Sequence, residues 1–289
     1  MVFIQQISKQ IFSHTQAQGE KKKRIILSFL HVLSLIFISL YHVAASYKEG
    51  YQKDFTIQIL IPRIIYGLAG LNFAINYFVK PHQLKKKVVQ KEDYKLILSD
   101  GQVCLVQILF LLVGPNAVTS FVLLFLAFQL LNYCFMHTKS ESVSYPFMIA
   151  LVSFYGYFCT GHTNQVTNVR VSQGFVGFEE FNFFISGLLV LINTMSIFIL
   201  GMIFISAFIR QVKMKRGETK GKKGDLFGDV FSAKTWMLYL IFFTASFAST
   251  SINCSLNLES LLLVYDFAPK YLIDSSIYAF VLISTLLFV

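Results

Sequence analysis

Charge is scarce in this chain. Only 14% of its 289 residues are Asp, Glu, Lys or Arg, against about 25% in soluble domains. Hydrophobic residues make up 55%, and Phe alone occurs 31 times. At a mean hydropathy of +0.61, this is more apolar surface than one water-soluble core can hide, which excludes a soluble globule. Cysteine is equally sparse. Cys104, Cys134, Cys159 and Cys254 each lie in or at the end of an apolar run and form no CxxC pair, so they carry no redox or metal signal. Catalytic signatures are missing as well: no HExxH, GxSxG, P-loop or GxGxxG occurs, and the six histidines are dispersed. No motif-grade catalytic or metal site can be assigned. The net charge of +10 sits in short basic clusters between apolar runs. That distribution reads as membrane topology, not as a nucleic-acid surface.

What the chain does have is apolar runs. A span needs about 20 apolar residues to cross roughly 30 Å of hydrocarbon. Eight segments are candidates: Ile25 to Ala45, Phe55 to Val79, Leu96 to Gly114, Ala117 to Met136, Pro146 to Thr160, Phe181 to Ile209, Thr235 to Cys254 and Tyr271 to Val289. Gly114-Pro115-Asn116 separates the third from the fourth, because one helix across both would be about 60 Å long. The fifth is the shortest and could be re-entrant. The first follows Lys21-Lys22-Lys23-Arg24 and is too long for a signal-peptide core, so it is expected to stay uncleaved. The fold class that follows is all-α, a polytopic membrane helix bundle of about eight transmembrane helices with no soluble domain.

Charge orients the bundle. Basic residues concentrate in Lys21 to Arg24, Lys80 to Lys95 and Arg210 to Lys223, and such clusters face the cytoplasm. Eight spans put all three on one side, whereas dropping the fifth would carry the last cluster across. The expected organisation is a basic cytoplasmic tail over 1–24 and a membrane domain over 25–289. Within the latter, 80–95 and 210–234 are basic cytoplasmic loops, 161–180 is a lumenal loop, and both termini are cytoplasmic. The Lys- and Gly-rich stretch Lys213 to Gly228 is either a solvated loop or an anionic-lipid contact.

Few polar groups fall inside the runs. His31 and His42, eleven residues apart, share one face of the first span, as a helix-packing face or as a relay. Arg63, after Pro62 in the second span, either snorkels to headgroups or binds a lipid phosphate. Asp100, with Gln102 and Gln107, poses the same choice. The most informative segment is Gly161 to Glu180, GHTNQVTNVRVSQGFVGFEE. Its glycines allow a bend and its aromatics suit the interface. His162, Asn164, Asn168, Arg170, Glu179 and Glu180 would offer hydrogen bonds to a headgroup or glycan.

This segment resembles the membrane region of the GPI ethanolamine phosphate transferases, which decorate mannoses of the glycosylphosphatidylinositol anchor precursor. Gly161-His162-Thr163-Asn164, the alternation Val166 to Val171, and Ser172-Gln173-Gly174-Phe175-Val176-Gly177 are similar to the loop of the type acting on the second mannose. Thr160-Gly161-His162 resembles the third-mannose type, but Gly174 and the Asn164 spacing fit the second better. Near the C-terminus, an apolar stretch followed by Phe267-Ala268-Pro269-Lys270 resembles the family's F-[AS]-P-K before its last span, with Pro269 expected in that span's first turn. Upstream, the family's basic R-x-H is replaced by Glu259-Ser260.

The resemblance implies a module that holds phosphatidylethanolamine and the GPI precursor in the endoplasmic reticulum membrane. Lipid- or substrate-binding candidates are Arg63, His162, Asn164, Arg170, Glu179, Glu180 and Lys270, with no catalytic residue among them. Family members carry a lumenal phosphatase-like domain with two zinc ions. The expected lumenal segment after the first span here is only Ser46 to Asp54, so no cofactor is expected in this chain and zinc only in a separate or missing catalytic domain. Whether this chain is itself an enzyme is therefore left open. Implied partners are a lumenal catalytic chain and a small multi-spanning stabilising subunit, with no nucleic acid. The rival readings are a non-catalytic scaffold or assembly subunit and, more remotely, a lipid transporter.

Overall fold

A computed structural model of the chain describes residues 18–47, 54–79, 91–137, 144–162, 170–180, 182–219, 225–256 and 261–288. All nine longer elements among them are α-helices: α1 (Gln18–Tyr47), α2 (Ile61–Val79), α3 (Lys91–Leu112), α4 (Val118–His137), α5 (Ser144–Cys159), α6 (Phe183–Thr194), α7 (Ser196–Thr219), α8 (Asp225–Leu256) and α9 (Leu261–Phe288). A short 3₁₀ turn covers Val171–Phe175. No strand occurs among the described residues.

Among the described residues four helical segments are long and apolar enough to cross a bilayer: Ile25–Tyr47, Thr56–Ile75, Val118–Phe135 and Phe231–Asn253. A fifth arises if α6 and α7 form one span, although the chain bends by 66° between them. Among the described residues the structure thus supports four to five spans, against the eight that the sequence runs suggest. Among the described residues α5 covers only Ser144–Cys159, below the span length of about 20 residues. The run Phe181 to Ile209 is broken at Met195 instead of forming one helix. Pro269 does not start a helix either. It lies inside α9, which begins at Leu261, as bilayer helices tolerate when neighbouring groups satisfy the freed carbonyl. Parts of the expected basic tail and loops (1–17, 80–90, 220–224) lie outside the described residues, as do 48–53 of the lumenal segment after the first span.

The chain divides into two compact units. The first comprises residues up to Asn116 together with Gly174–Ser186, and in it α1, α2 and α3 pack on one another. The buried stripe of α1, Leu27, Ser34, Ile38, Tyr41 and Ala45, recurs at helical spacing, while Phe29, Ile36, Leu40 and Val43 on the other face are exposed. In water such a face would be a liability; against acyl chains it is the expected surface. Polar groups join the three helices inside. His31 Nδ1 lies 3.0 Å from Gln107 Nε2 and 3.5 Å from Asn72 Nδ2, and His42 Nε2 lies 2.8 Å from the Phe110 carbonyl. The histidine face of α1 is thus a packing seam.

The second unit comprises Ala117–Gln173 and Gly187–Val289. Here α5 packs on α4, α7 and α8, and α8 on α9. Its core is aromatic: Tyr145 stacks on Phe208 at 3.9 Å, and Phe198 meets Phe243 at 5.5 Å. α7 is buried nearly all round between Ile197 and Ile209, which marks it as the central helix. Small residues let α5 approach it: Gly156, Ser153 and Gly201 sit where larger side chains would collide, the usual device for packing helices in a bilayer.

Candidate functional site

The helix carrying Arg63 starts irregularly, and its irregularity creates a docking edge. Asp54 Oδ1 accepts the backbone N–H groups of Thr56 (3.0 Å) and Ile57 (3.4 Å), and a π-helical turn, Thr56–Leu60, leads into α2. In an α-helix the carbonyl of Gln58 would receive the N–H of the residue four positions on. That residue is Pro62, which has none. The N–H of Gly177 takes its place at 2.8 Å. Gly177 adopts φ 89°, and a Cβ there would stand 2.9 Å from Tyr66 Cε2, so glycine alone lets the loop backbone lie this close. Arg63 Nε donates to the Gly177 carbonyl at 2.9 Å, and Nη2 reaches Glu179 Oε1 at 3.4 Å. The Tyr66 hydroxyl donates to the Val176 carbonyl at 3.3 Å. An ion pair as exposed as Arg63–Glu179 contributes about 0–1 kcal/mol, so the backbone contacts, not the charges, hold the loop. The Arg63 side chain remains 52% exposed. A guanidinium has five N–H donors, and these contacts use two of them, leaving capacity for a phosphate.

In the second unit, α5 ends in a left-handed glycine. Gly161 has φ 81°, and Arg170 Nη2 donates to the carbonyl of Thr160 at 3.0 Å. A cation on the last carbonyls of a helix satisfies an orphan acceptor and complements the helix dipole. Arg170 therefore works as a cap for α5. His162 is buried and stacks on Tyr157, with ring centroids 4.9 Å apart. Burial, then the positive charge of Arg170, pushes its pKa down to about 4 from 6.5. As pH falls, the unfolded chain takes up this proton first, so the stability His162 contributes is full above pH 6.5 and is lost toward pH 4. Thermal unfolding in detergent should show the midpoint falling across that window, and His162→Phe, which keeps an aromatic ring but cannot titrate, should flatten the fall.

Of the residues singled out in the sequence, Arg63 and Glu179 meet in the first unit, and His162 and Arg170 share the end of α5 in the second. Glu180 is exposed. Asn164 and Asn168 lie outside the described residues. Lys270 is half-buried on α9, four residues before Asp274. Asp274 itself escaped the sequence reading. It is only 7% exposed, and Thr250 of α8 donates to its Oδ2 at 2.6 Å. The available signal was an ionisable residue inside an apolar run.

Among the described residues no group of three or more His, Cys, Asp or Glu side chains could hold a metal ion. These residues do not fit a zinc centre.

The chain matches the family model of the GPI ethanolamine phosphate transferase membrane region over residues 13–287. It belongs to that family. No curated protein sequence and no solved structure matches it. As a member of the GPI ethanolamine phosphate transferase membrane regions, and with several helices able to cross a bilayer, it is a multi-pass membrane protein. Both segments that resemble the family carry the contacts just described. Val176-Gly177 is the stretch docked on α2. The Phe267-Ala268-Pro269-Lys270 motif leads, in α9, straight to Asp274.

Proposed function

We propose that this chain is the membrane module of a GPI ethanolamine phosphate transferase, holding phosphatidylethanolamine and the GPI precursor while ethanolamine phosphate passes to a mannose. The observation that carries the reading is the family match over residues 13–287, nearly the whole chain. The second-mannose type is favoured by Gly174 and the Asn164 spacing. The setting is the endoplasmic reticulum membrane, with about eight spans, both termini cytoplasmic, and the 161–180 loop lumenal. Within this reading Arg63 offers spare N–H groups to a lipid phosphate, while Glu179 and Glu180 offer acceptors to a glycan hydroxyl or an amine. His162 and Arg170 keep the end of α5 in shape. The zinc chemistry is assigned to a lumenal catalytic chain or domain, with a small multi-spanning subunit as a further partner.

The test is depletion of the chain in its native cell, followed by mass spectrometry of GPI precursors. Loss of one ethanolamine phosphate from a single mannose is expected, by about tenfold or more relative to the rescued cell. Rescue with Arg63→Gln should restore only part of it. Precursors that keep every ethanolamine phosphate after depletion would overturn the proposal.

A further inference from the structure

The joint between α6 and α7 leaves buried polar groups unmet. The helical ladder runs as far as the bond from the Met195 N–H to the Leu191 carbonyl and resumes with the bond from the Ile199 N–H to the Met195 carbonyl, both at 2.9 Å. Between them the helix breaks and the chain turns by 66°. A helix that starts at Ser196 has no intrahelical acceptor for its first N–H groups. Asn193 is 1% exposed with neither amide atom bonded, and Ser196 is fully buried with its hydroxyl unpartnered. Other helical hydroxyls in this chain behave differently. Ser34, Ser153, Thr194, Thr235 and Ser251 each donate to the carbonyl four residues back, at 2.8–2.9 Å. For Ser196 that acceptor is the carbonyl of Ile192, on the far side of the break, and the bond is not made. No proline enforces the bend, since 181–209 contains none, so a continuous helix is open to the same sequence.

Length makes the bent and straight forms answer differently to the bilayer. From Ser196 to Val212 α7 rises about 25 Å, and the 12 residues of α6 rise about 18 Å. Neither reaches across roughly 30 Å of hydrocarbon alone, whereas the pair passes as one span. The two arms are also held unequally. α7 is buried nearly all round, while Leu188 and Leu191 of α6 are exposed, so α6 is the arm that moves. We infer that the α6–α7 joint is a two-state hinge biased by membrane thickness, bent in a thin bilayer and straightened in a thick one, where α6 extends α7 across the hydrocarbon. Straightening restores the helical bonds to the Ile192 and Thr194 carbonyls and gives the Ser196 hydroxyl its acceptor. In a thin bilayer the straight helix overshoots the hydrocarbon, and that mismatch offsets the gain. The unmet groups at Asn193 and Ser196 keep the bent form from being so stable that thickness could not tip the balance. The hinge does not depend on the transferase reading.

The experiment uses the full chain with its native cysteines replaced by alanine and spin labels introduced through Leu188→Cys and Val212→Cys. It is reconstituted in phosphatidylcholine bilayers with monounsaturated chains of increasing length, and the label distance is read by pulsed electron paramagnetic resonance. Straightening a 66° bend at Met195 lengthens that distance by about 5 Å. The ratio of the long to the short distance should rise about tenfold from the thinnest bilayer to the thickest. A second pair of labels, at the exposed Leu123 of α4 and Ile241 of α8, should keep its distance throughout. Ser196→Pro should hold the short distance in every bilayer, because proline suits the first turn of α7 but blocks a continuous helix. Ser196→Ala removes the hydroxyl that only the straight form satisfies, so the long-to-short ratio in the thickest bilayer should fall by about threefold. A distance between the Leu188 and Val212 labels that stays constant across the lipid series overturns the inference without any further variant having to fold. An equal shift in the second pair of labels overturns it too, as does a Ser196→Pro chain that lengthens with thickness as the parent does.

Discussion

Gly201→Val should be among the most damaging single substitutions in the second unit, lowering stability by about 3 kcal/mol or more, in the upper range for point mutants. Gly201 is on α7 where that central helix crosses α5. A Cβ on Gly201 would run into Ser153 Oγ, with Tyr239 Oη at 3.2 Å and Ile149 Cγ2 at 3.4 Å. None of the three can withdraw easily. Ser153 Oγ is tied to the Ile149 carbonyl at 2.8 Å, Tyr239 is fully buried, and Ile149 has no exposed surface. Packing is also tight on the neighbouring turn of α5, where a Cβ on Gly156 would stand 3.0 Å from Leu124 of α4 and 3.1 Å from Ile197 of α7. Because lipid chains are as apolar as leucine, helices associate in a bilayer through close packing and hydrogen bonds, and no hydrophobic force draws them together again once a bulky side chain has pushed them apart. Thermal unfolding and size-exclusion profiles in detergent would show the effect as a lower midpoint and loss of the monodisperse peak. A cycle identifies the cause: Gly201→Ala should be partly rescued by Ser153→Ala, by about 1 kcal/mol, since the two side groups compete for one volume. Additive losses would mean that the steric account is wrong.

The crossing could not be read from the sequence, although its ingredients could. Apolar runs and basic clusters announce a multi-pass bundle because bilayer thickness and charge asymmetry act on local composition. Gly114-Pro115-Asn116 announces a break for the same reason, and the helices do stop at Leu112 and resume at Val118, with Gly114 at φ 82°. Counting spans is harder. Phe181 to Ile209 reads as one run, yet the chain bends by 66° within it, and neither proline nor a charge marks the place. What does mark it is a polar cluster, Asn193, Thr194 and Ser196, around Met195 in an otherwise apolar run.

The candidate site divides in the same way. Glycines in 174–177 and the isolated Arg63 are visible as local oddities. Their pairing is not, because Arg63 and Glu179 are separated by 116 positions and nothing in either segment names the other. Asp274 shows the opposite failure. Its signal is local and strong, a carboxylate in an apolar helix, but Lys270 and the proline motif beside it drew attention first. Its meaning depends on Thr250, twenty-four positions away on another helix.

Gly177→Val should release the 174–180 segment from α2 while leaving most of the first unit folded. Three costs combine at this one position. A β-branched residue at φ 89° is strained by about 1–3 kcal/mol. Its Cβ would stand 2.9 Å from Tyr66 Cε2 and 3.5 Å from Pro62 Cβ, and proline has no rotamer through which to yield. If the loop lifts to relieve these contacts, the Gln58 carbonyl loses the Gly177 N–H that stands in for the one Pro62 lacks, and Arg63 Nε loses its acceptor. An unmet buried carbonyl costs about 1–3 kcal/mol, so the total exceeds what the remaining contacts of the loop can return, and the open form becomes the ground state. Limited proteolysis should register this as faster cleavage within 170–180, by about tenfold or more, since cleavage of a locally opened segment follows the population of the open form. The global melting midpoint should move much less. Glu179→Gln is the matched control: it removes only a half-exposed ion pair, so cleavage should rise less than about threefold. Equal sensitivity of the two variants would show that charge, and not the glycine-to-carbonyl contact created by Pro62, holds the segment in place.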